Sequence, residues 1–281
     1  MTQNHHWFGV GMLASGVGLA ANTMLGPLVA DAIRYPFTET VLNETLGLEA
    51  VSLLLVAPLA IAAGLLALRG HPAAPFVALG PTSYAAYMFV QYVLGPQYPT
   101  FQPSIALHLG LFVLNVVLLV QAWTLARDTV PGARSRGWAG VLLLLAGFVL
   151  SRWSVAFGGM AGGDAVPAAP ADLTMYWSIF LLDLGLVVPA AVATAVGILL
   201  SSRWAQAALY GVVGWFALVP PSVAAMSIVK LLRDDPNAAT GDTVVFVVVS
   251  LVFWAIAAVL FRPLFGRRHA ARREALAAGA A

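Results

Sequence analysis

Eight stretches of predominantly apolar residues recur along the chain, near 8–30, 46–68, 75–94, 104–126, 137–157, 175–201, 204–231 and 243–263. A helix needs about 20 such residues to cross a ~30 Å hydrocarbon core. Lipid offers no partner to backbone N–H and C=O groups, so only helices and closed barrels span it. These stretches lack the alternation of a barrel strand. Leu53 to Leu68, with Pro58 inside it, and Val141 to Leu150 are apolar all round. The expected fold is all-α: a polytopic integral membrane protein with eight transmembrane helices over residues 1–262. A basic cytoplasmic C-terminal tail, 263–281, follows. The lipid bilayer is its first partner.

Composition agrees. Of 281 residues, 60% are hydrophobic and 9% charged, against about 45–50% and 25% in a soluble domain. The net charge is only +2, too little for a phosphate-neutralising face, so no nucleic-acid partner is expected. The absence of cysteine removes disulfides, thiolate metal sites and cysteine nucleophiles together. The leader Met1 to Trp7 has no Lys or Arg, and the apolar run behind it exceeds the usual 7–15 residues of a signal core. It reads as an uncleaved first helix.

Charge orients the bundle. Arg69 and His71 follow the second span, Arg127, Arg134 and Arg136 the fourth, and Arg203 the sixth. Arg262, Arg267, Arg268, Arg272 and Arg273 follow the eighth. The alternate loops carry Glu39, Glu44, Glu49, Asp164, Asp172, Asp234 and Asp235, with Arg34 and Arg233 as exceptions. By the positive-inside rule both termini are cytoplasmic, and the expected location is the plasma membrane.

Shifting the chain by 134 positions lays Glu49 on Asp183, Arg69 on Arg203, Phe76 on Tyr210 and Gly80 on Gly214. Ala73-Ala74 falls on Ala207-Ala208 and Phe112-Val113 on Phe246-Val247, while the first and fifth spans match poorly. Apolar composition produces such coincidences too. A genuine duplication would be a parallel 4+4 repeat, with halves 1–131 and 132–262 and an axis along the membrane normal.

Polar residues in the spans locate a candidate recess. At 1.5 Å per residue, Asp183 stands about 30 Å above Arg203, and Arg152 about 24 Å above Arg136. Gln91, Asn22 and His108 stand at roughly 20–30 Å, and Tyr87, Asn115 and Ser250 at roughly 18 Å. The inner half contributes little beyond Gln121 and Thr194. The asymmetry describes an outward-facing polar recess with a dry floor, its ligand-binding candidates being Arg152, Asp183, Gln91, Tyr87, His108, Asn115 and Asn22.

A charge as deep as Arg152 costs about 2.5–3.5 kcal/mol on insertion scales. It either pairs, with Asp183 on the next helix the natural partner, or snorkels to the headgroups. His108 near a span end reads as an interfacial, hydrated side chain. No second His or carboxylate lies three or four positions away, so no metal is expected. Tyr84, Tyr87, Tyr92 and Tyr98 line a pocket or belong to an aromatic belt. Pro189 and the Pro220-Pro221 pair free backbone carbonyls and point to a helix break near the recess.

Several chemistries are missing. There is no phosphate loop, no G-x-S-x-G elbow and no zinc constellation. Glycines 9, 11, 16 and 18 read as small-residue packing steps, not a dinucleotide loop. Lys230, the only lysine, lies about 39 Å above Trp204, too far out for a retinal Schiff base. His71 and His108 lie at opposite faces and cannot share a haem. No cofactor is expected.

Three function classes fit: a small-molecule transporter or permease; a non-catalytic subunit, receptor or assembly factor; and a membrane enzyme acting on a lipid-linked substrate. The first, with an unidentified small molecule or lipid-like ligand, agrees best with eight spans, breaking prolines and intramembrane charge.

Overall fold

The computed structural model describes residues 3–129 and 135–278, and for residues 3–5, 128–129 and 267–278 the backbone alone. Arg134 and the side chains of Arg267, Arg268, Arg272 and Arg273 lie outside the described residues. Among the described residues every regular element is helical.

Helix α1 is Gln3–Leu25. The second rod is α2 (Glu39–Val51), a π-helix (Ser52–Val56) and α3 (Ala57–Leu68). Helices α4 (Ala74–Leu94), α5 (Pro103–Thr129) and α6 (Gly137–Ala161) follow. The sixth rod is α7 (Leu173–Leu182), a second π-helix (Asp183–Val187) and α8 (Val188–Leu199). Helices α9 (Arg203–Phe216) and α10 (Val219–Leu232) form the seventh rod and α11 (Thr240–Ala278) the eighth. Seven rods are long and apolar enough to cross a membrane, which marks a membrane protein. The rod outside that group is α4, which carries Pro81, Thr82, Ser83, three tyrosines and Gln91. Most of α4 is buried against other helices, so it needs no apolar face for lipid.

Short loops make successive rods antiparallel. The start of α1 and the end of α3 therefore share a terminal side, and the loops 26–38, 95–102, 162–169 and 233–239 lie on the far side. Helix α1 stops at Leu25, not near 30, because Pro27 has no N–H for the Thr23 carbonyl. Its final carbonyl instead accepts from the N–H groups of Ala32 and Ile33 as the chain turns back.

Small residues set the helix contacts, as expected where dispersion rather than water drives packing. Gly9 and Gly16 lie against α3, where an added Cβ would meet Leu68 at 2.8 Å and Ile61 at 2.6 Å. Gly11 and Gly18, on another face of α1, take Leu118 and Leu111 of α5 at 2.7 and 2.5 Å. Between them Ser15 Oγ–H donates to Asn115 Oδ1 at 2.8 Å. At the centre α4 crosses α9 with Gly80 against Gly214, where a Cβ on either would lie 3.3 or 3.0 Å from the other's backbone. Phe76 and Tyr210 pack at a tilt beside that crossing, ring centroids 4.7 Å apart.

The prolines explain the irregular turns. Pro58 and Pro189 leave the carbonyls of Leu54 and Gly185 without the usual donor. In both rods the chain widens just before them, so that Ala57 N–H bonds Ser52 O and Val188 N–H bonds Asp183 O. The expected break at Pro220-Pro221 is present between α9 and α10. The Ala217 carbonyl, which Pro221 cannot serve, accepts from Trp254 Nε1–H at 2.8 Å.

The two π-containing rods also end alike. Gly70 and Ser201 both adopt positive φ, 64° and 56°, and the bonds Gly70 N–H to Ala67 O and His71 N–H to Leu66 O recur as Ser201 to Ile198 and Ser202 to Gly197. This pairs Gly70 with Ser201, three positions short of the 134 spacing that lays Arg69 on Arg203. The physical reason is that α7 has 10 residues where α2 has 13.

Helix α2 packs on α10 through Gly47, where an added Cβ would lie 2.5 Å from Ala225 C and 2.6 Å from its O. Backbone cannot rotate away as a side-chain tip can, so Gly47→Ala should cost about 1–3 kcal/mol. Gly140→Ala, with nothing within 4 Å, should leave the melting temperature in detergent unchanged. Equal effects of the two would contradict this packing.

Candidate functional site

A cavity of about 240 Å³ lies between the first four and last four rods. Glu44 and Leu48 reach it from α2, Tyr84, Tyr87 and Gln91 from α4, Arg152 from α6, Asp183 from the second π-helix, Ser222 and Lys230 from α10, and Asp242 and Phe246 from α11. A void of about 70 Å³ and a far-side vestibule of about 510 Å³, walled by Thr38, Thr40, Asp172 and Lys230, share Glu44 and Ile179 with it.

Asp183 opens its π-helix, a turn type frequent at functional sites, and is 7% exposed. Tyr87 Oη–H donates to its Oδ1 at 2.7 Å, and Trp153 Nε1–H to its Oδ2 at 2.9 Å. The anticipated Arg152–Asp183 bridge is therefore not what holds this carboxylate. Arg152 forms no ion pair among the described residues; its guanidinium lies over the Phe246 ring, 4.9 Å from the centroid. Arg152 sits one residue before Trp153, which takes the Asp183 contact, so its own side chain projects on the neighbouring face toward α11. A cation over an aromatic face gains about 0.5–2 kcal/mol and keeps its N–H donors free for a ligand.

The floor is a chain of hydroxyls. Ser222 Oγ–H donates to the Leu218 carbonyl at 3.0 Å, so the 2.9 Å contact with Tyr84 runs from the Tyr84 hydroxyl to Ser222. Ser52 lies 3.3 Å from the Tyr84 oxygen. This chain ties the first π-helix to the base of α10.

At the mouth, Lys230 Nζ pairs with Glu44 Oε1 at 2.8 Å. Thr38 Oγ1–H donates to Asp172 Oδ2 at 2.5 Å, and Thr40 and Asn43 donate to Asp235 at 3.1 and 2.8 Å. Burial pushes the Asp235 carboxyl up, but bonds from Asn43, the Asn237 N–H and Thr40, with Lys230 nearby, hold it below its ordinary value. The latch thus stays charged through the usual carboxylate range and loosens only as pH falls below it.

Four of the sequence candidates, Arg152, Asp183, Gln91 and Tyr87, line this cavity; the other three do not. Asn115 is used in its bond to Ser15. His108 is no interfacial side chain: it is fully buried among Tyr35, Phe89 and Tyr92, with ring centroids 6.0, 5.8 and 5.2 Å away. The loop 26–38 folds back and places Tyr35 over it, a long-range closure that span hydropathy does not reveal. Asn22 is buried nearby. The functional side chains missed from sequence are Glu44, Lys230 and Trp153. Acidic residues at the start of the second span were a visible signal for Glu44; for the indole of Trp153 there was none.

Beside the cavity, Tyr87, Trp215 and Phe216 also wall an apolar crevice of about 410 Å³ bounded by Phe112, Leu186 and Val212. No family model, curated protein or solved structure matches this chain.

The geometry makes Tyr87 a closer partner of Asp183 than Arg152 is. In double-mutant cycles read by thermal stability, Tyr87→Phe with Asp183→Asn should couple by about 0.5–3 kcal/mol. Arg152→Gln with Asp183→Asn should couple less. The reverse ranking would restore the ion-pair reading.

Proposed function

We propose that the protein is a small-molecule transporter of the plasma membrane, with both termini cytoplasmic and the vestibule facing out. The observation that carries this is a mixed-charge cavity lined by both sets of four rods. It is latched by polar side chains above and closed below by hydroxyls and a backbone crossing. Such a site, at the interface between halves and beside broken helices, is the arrangement alternating access uses. The stacked but unpaired Arg152 offers its donors to an anionic group on the solute, while Asp183, Tyr87 and Gln91 orient the remainder.

A parallel 4+4 repeat supports the same reading. The two π-helices, the matching caps at Gly70 and Ser201, and the contacts of Gly80 with Gly214 and Thr38 with Asp172, each spaced by 134, are what a two-fold axis along the membrane normal produces. A residue on that axis meets its own counterpart. Rocking of one half on the other about the glycine crossing would break the latch and hydroxyl floor in turn.

The cysteine-free chain permits the test. Val223→Cys, in the cavity wall, should react with an impermeant charged thiol reagent from outside in right-side-out vesicles and from inside in inverted ones. Tyr98→Cys and Pro167→Cys should react from outside only, and Ala270→Cys from inside only. Labelling of Val223→Cys from one side alone would favour a receptor or subunit; an inverted pattern at the other three would overturn the orientation.

A further inference from the structure

The cluster around His108 is a second polar site that the cavity does not use. Asn22, Thr23, Tyr35, Glu49, Tyr92 and His108 are all at least nine-tenths buried. Asn22 Oδ1, Thr23 Oγ1, Glu49 Oε1 and the hydroxyls of Tyr35 and Tyr92 have no hydrogen-bond partner, nor has either ring nitrogen of His108. Buried polar atoms are nearly always paired, and each one left bare costs about 1–3 kcal/mol.

These groups are neighbours. The antiparallel contacts of α1 with α5, Gly11 with Leu118, Ser15 with Asn115 and Gly18 with Leu111, bring Asn22 to the level of His108. The rings of Tyr35 and Tyr92 stack 5.3 Å apart. The Glu49 carboxylate closes on the end of α1, where a Cβ added at Gly26 would strike both of its oxygens. Three hydroxyl donors are thus buried beside a carboxylate and an amide oxygen.

We propose that this enclosure binds a monovalent cation of sodium type on Glu49, with oxygens from Asn22, Thr23, Tyr35 and Tyr92 completing its shell. Hard cations take oxygen ligands. A single carboxylate balances one positive charge, and among the described residues no group of three His, Cys, Asp or Glu side chains could hold a metal of higher charge. A proton on Glu49 would engage one acceptor and leave the other oxygens bare; a cation engages them together. The end of α1 adds its negative dipole and the Thr23 carbonyl, which Pro27 cannot cap. Glu49 Oε2 is already oriented by the Leu28 N–H at 3.3 Å. Above the site, Tyr35 and Tyr98 form the base of a far-side depression of about 680 Å³, the route of entry.

Neighbouring residues on two helices face the two sites: Leu48 and Gln91 line the cavity while Glu49 and Tyr92 enclose the cation. Occupancy of one therefore sets the position of the other, and this coupling role, unlike the binding itself, rests on the transport reading.

The test uses the purified full chain in detergent. Sodium chloride exchanged for choline chloride at constant ionic strength should raise the melting temperature saturably, because a ligand bound only by the folded state stabilises it. Glu49→Gln should abolish the shift, and Asn22→Ala and Tyr92→Phe should each weaken apparent affinity by about tenfold, one charge-assisted contact. If Glu49→Gln does not fold, the other two variants decide. No sodium-specific shift in the native chain overturns the proposal, as does a shift that all variants retain. A stabilisation that follows acid rather than sodium, and is lost in Glu49→Gln, makes Glu49 a proton carrier and equally overturns it. The measurement needs no vesicle, so its failure is separate from failure of the transport reading.

Discussion

Every backbone carbonyl inside hydrocarbon needs a donor, and prolines within the rods withhold one. The structure is arranged around how those debts are met. Before Pro58 and Pro189 the helix widens to a π-turn; at Pro220-Pro221 it breaks, and an indole from α11 supplies the missing donor. Pro81 sits in α4, the rod most enclosed by other helices. The widened and broken turns surround one region, where Asp183 and Ser222 line the cavity and Ser52 lies against the Tyr84 hydroxyl. Regular helix would have packed that space shut.

Close packing on the terminal side is the counterpart of the open far side. Glycine and alanine let α1 approach α3 and let α4 approach α9 until backbone meets backbone. On the far side α2 meets α10 backbone at Gly47, and around that contact lie hydrogen bonds and one ion pair between polar side chains.

The two buried carboxylates illustrate how environment separates similar residues. Glu49 and Asp183 occupy comparable places, one shortly before a π-helix and one at its start. Asp183 receives two side-chain donors and faces the cavity. Glu49 receives one backbone N–H and is buried.

Much of the architecture was legible in the residues themselves. Hydropathy and length located the rods, because a bilayer sets both requirements locally, and proline chemistry located the breaks. The glycine steps of α1 were visible as packing surfaces for the same local reason. Depth along a helix put Arg152, Asp183, Gln91 and Tyr87, which line the cavity, in one set with His108, Asn115 and Asn22, which do not. What height cannot supply is azimuth. Only the tertiary structure turned Trp153, rather than Arg152, toward Asp183, sent Asn115 to Ser15, and folded Tyr35 over His108. It also slipped the caps at Gly70 and Ser201 out of the 134 register. These outcomes depend on how helices rotate and cross, which contacts distant in the chain decide together.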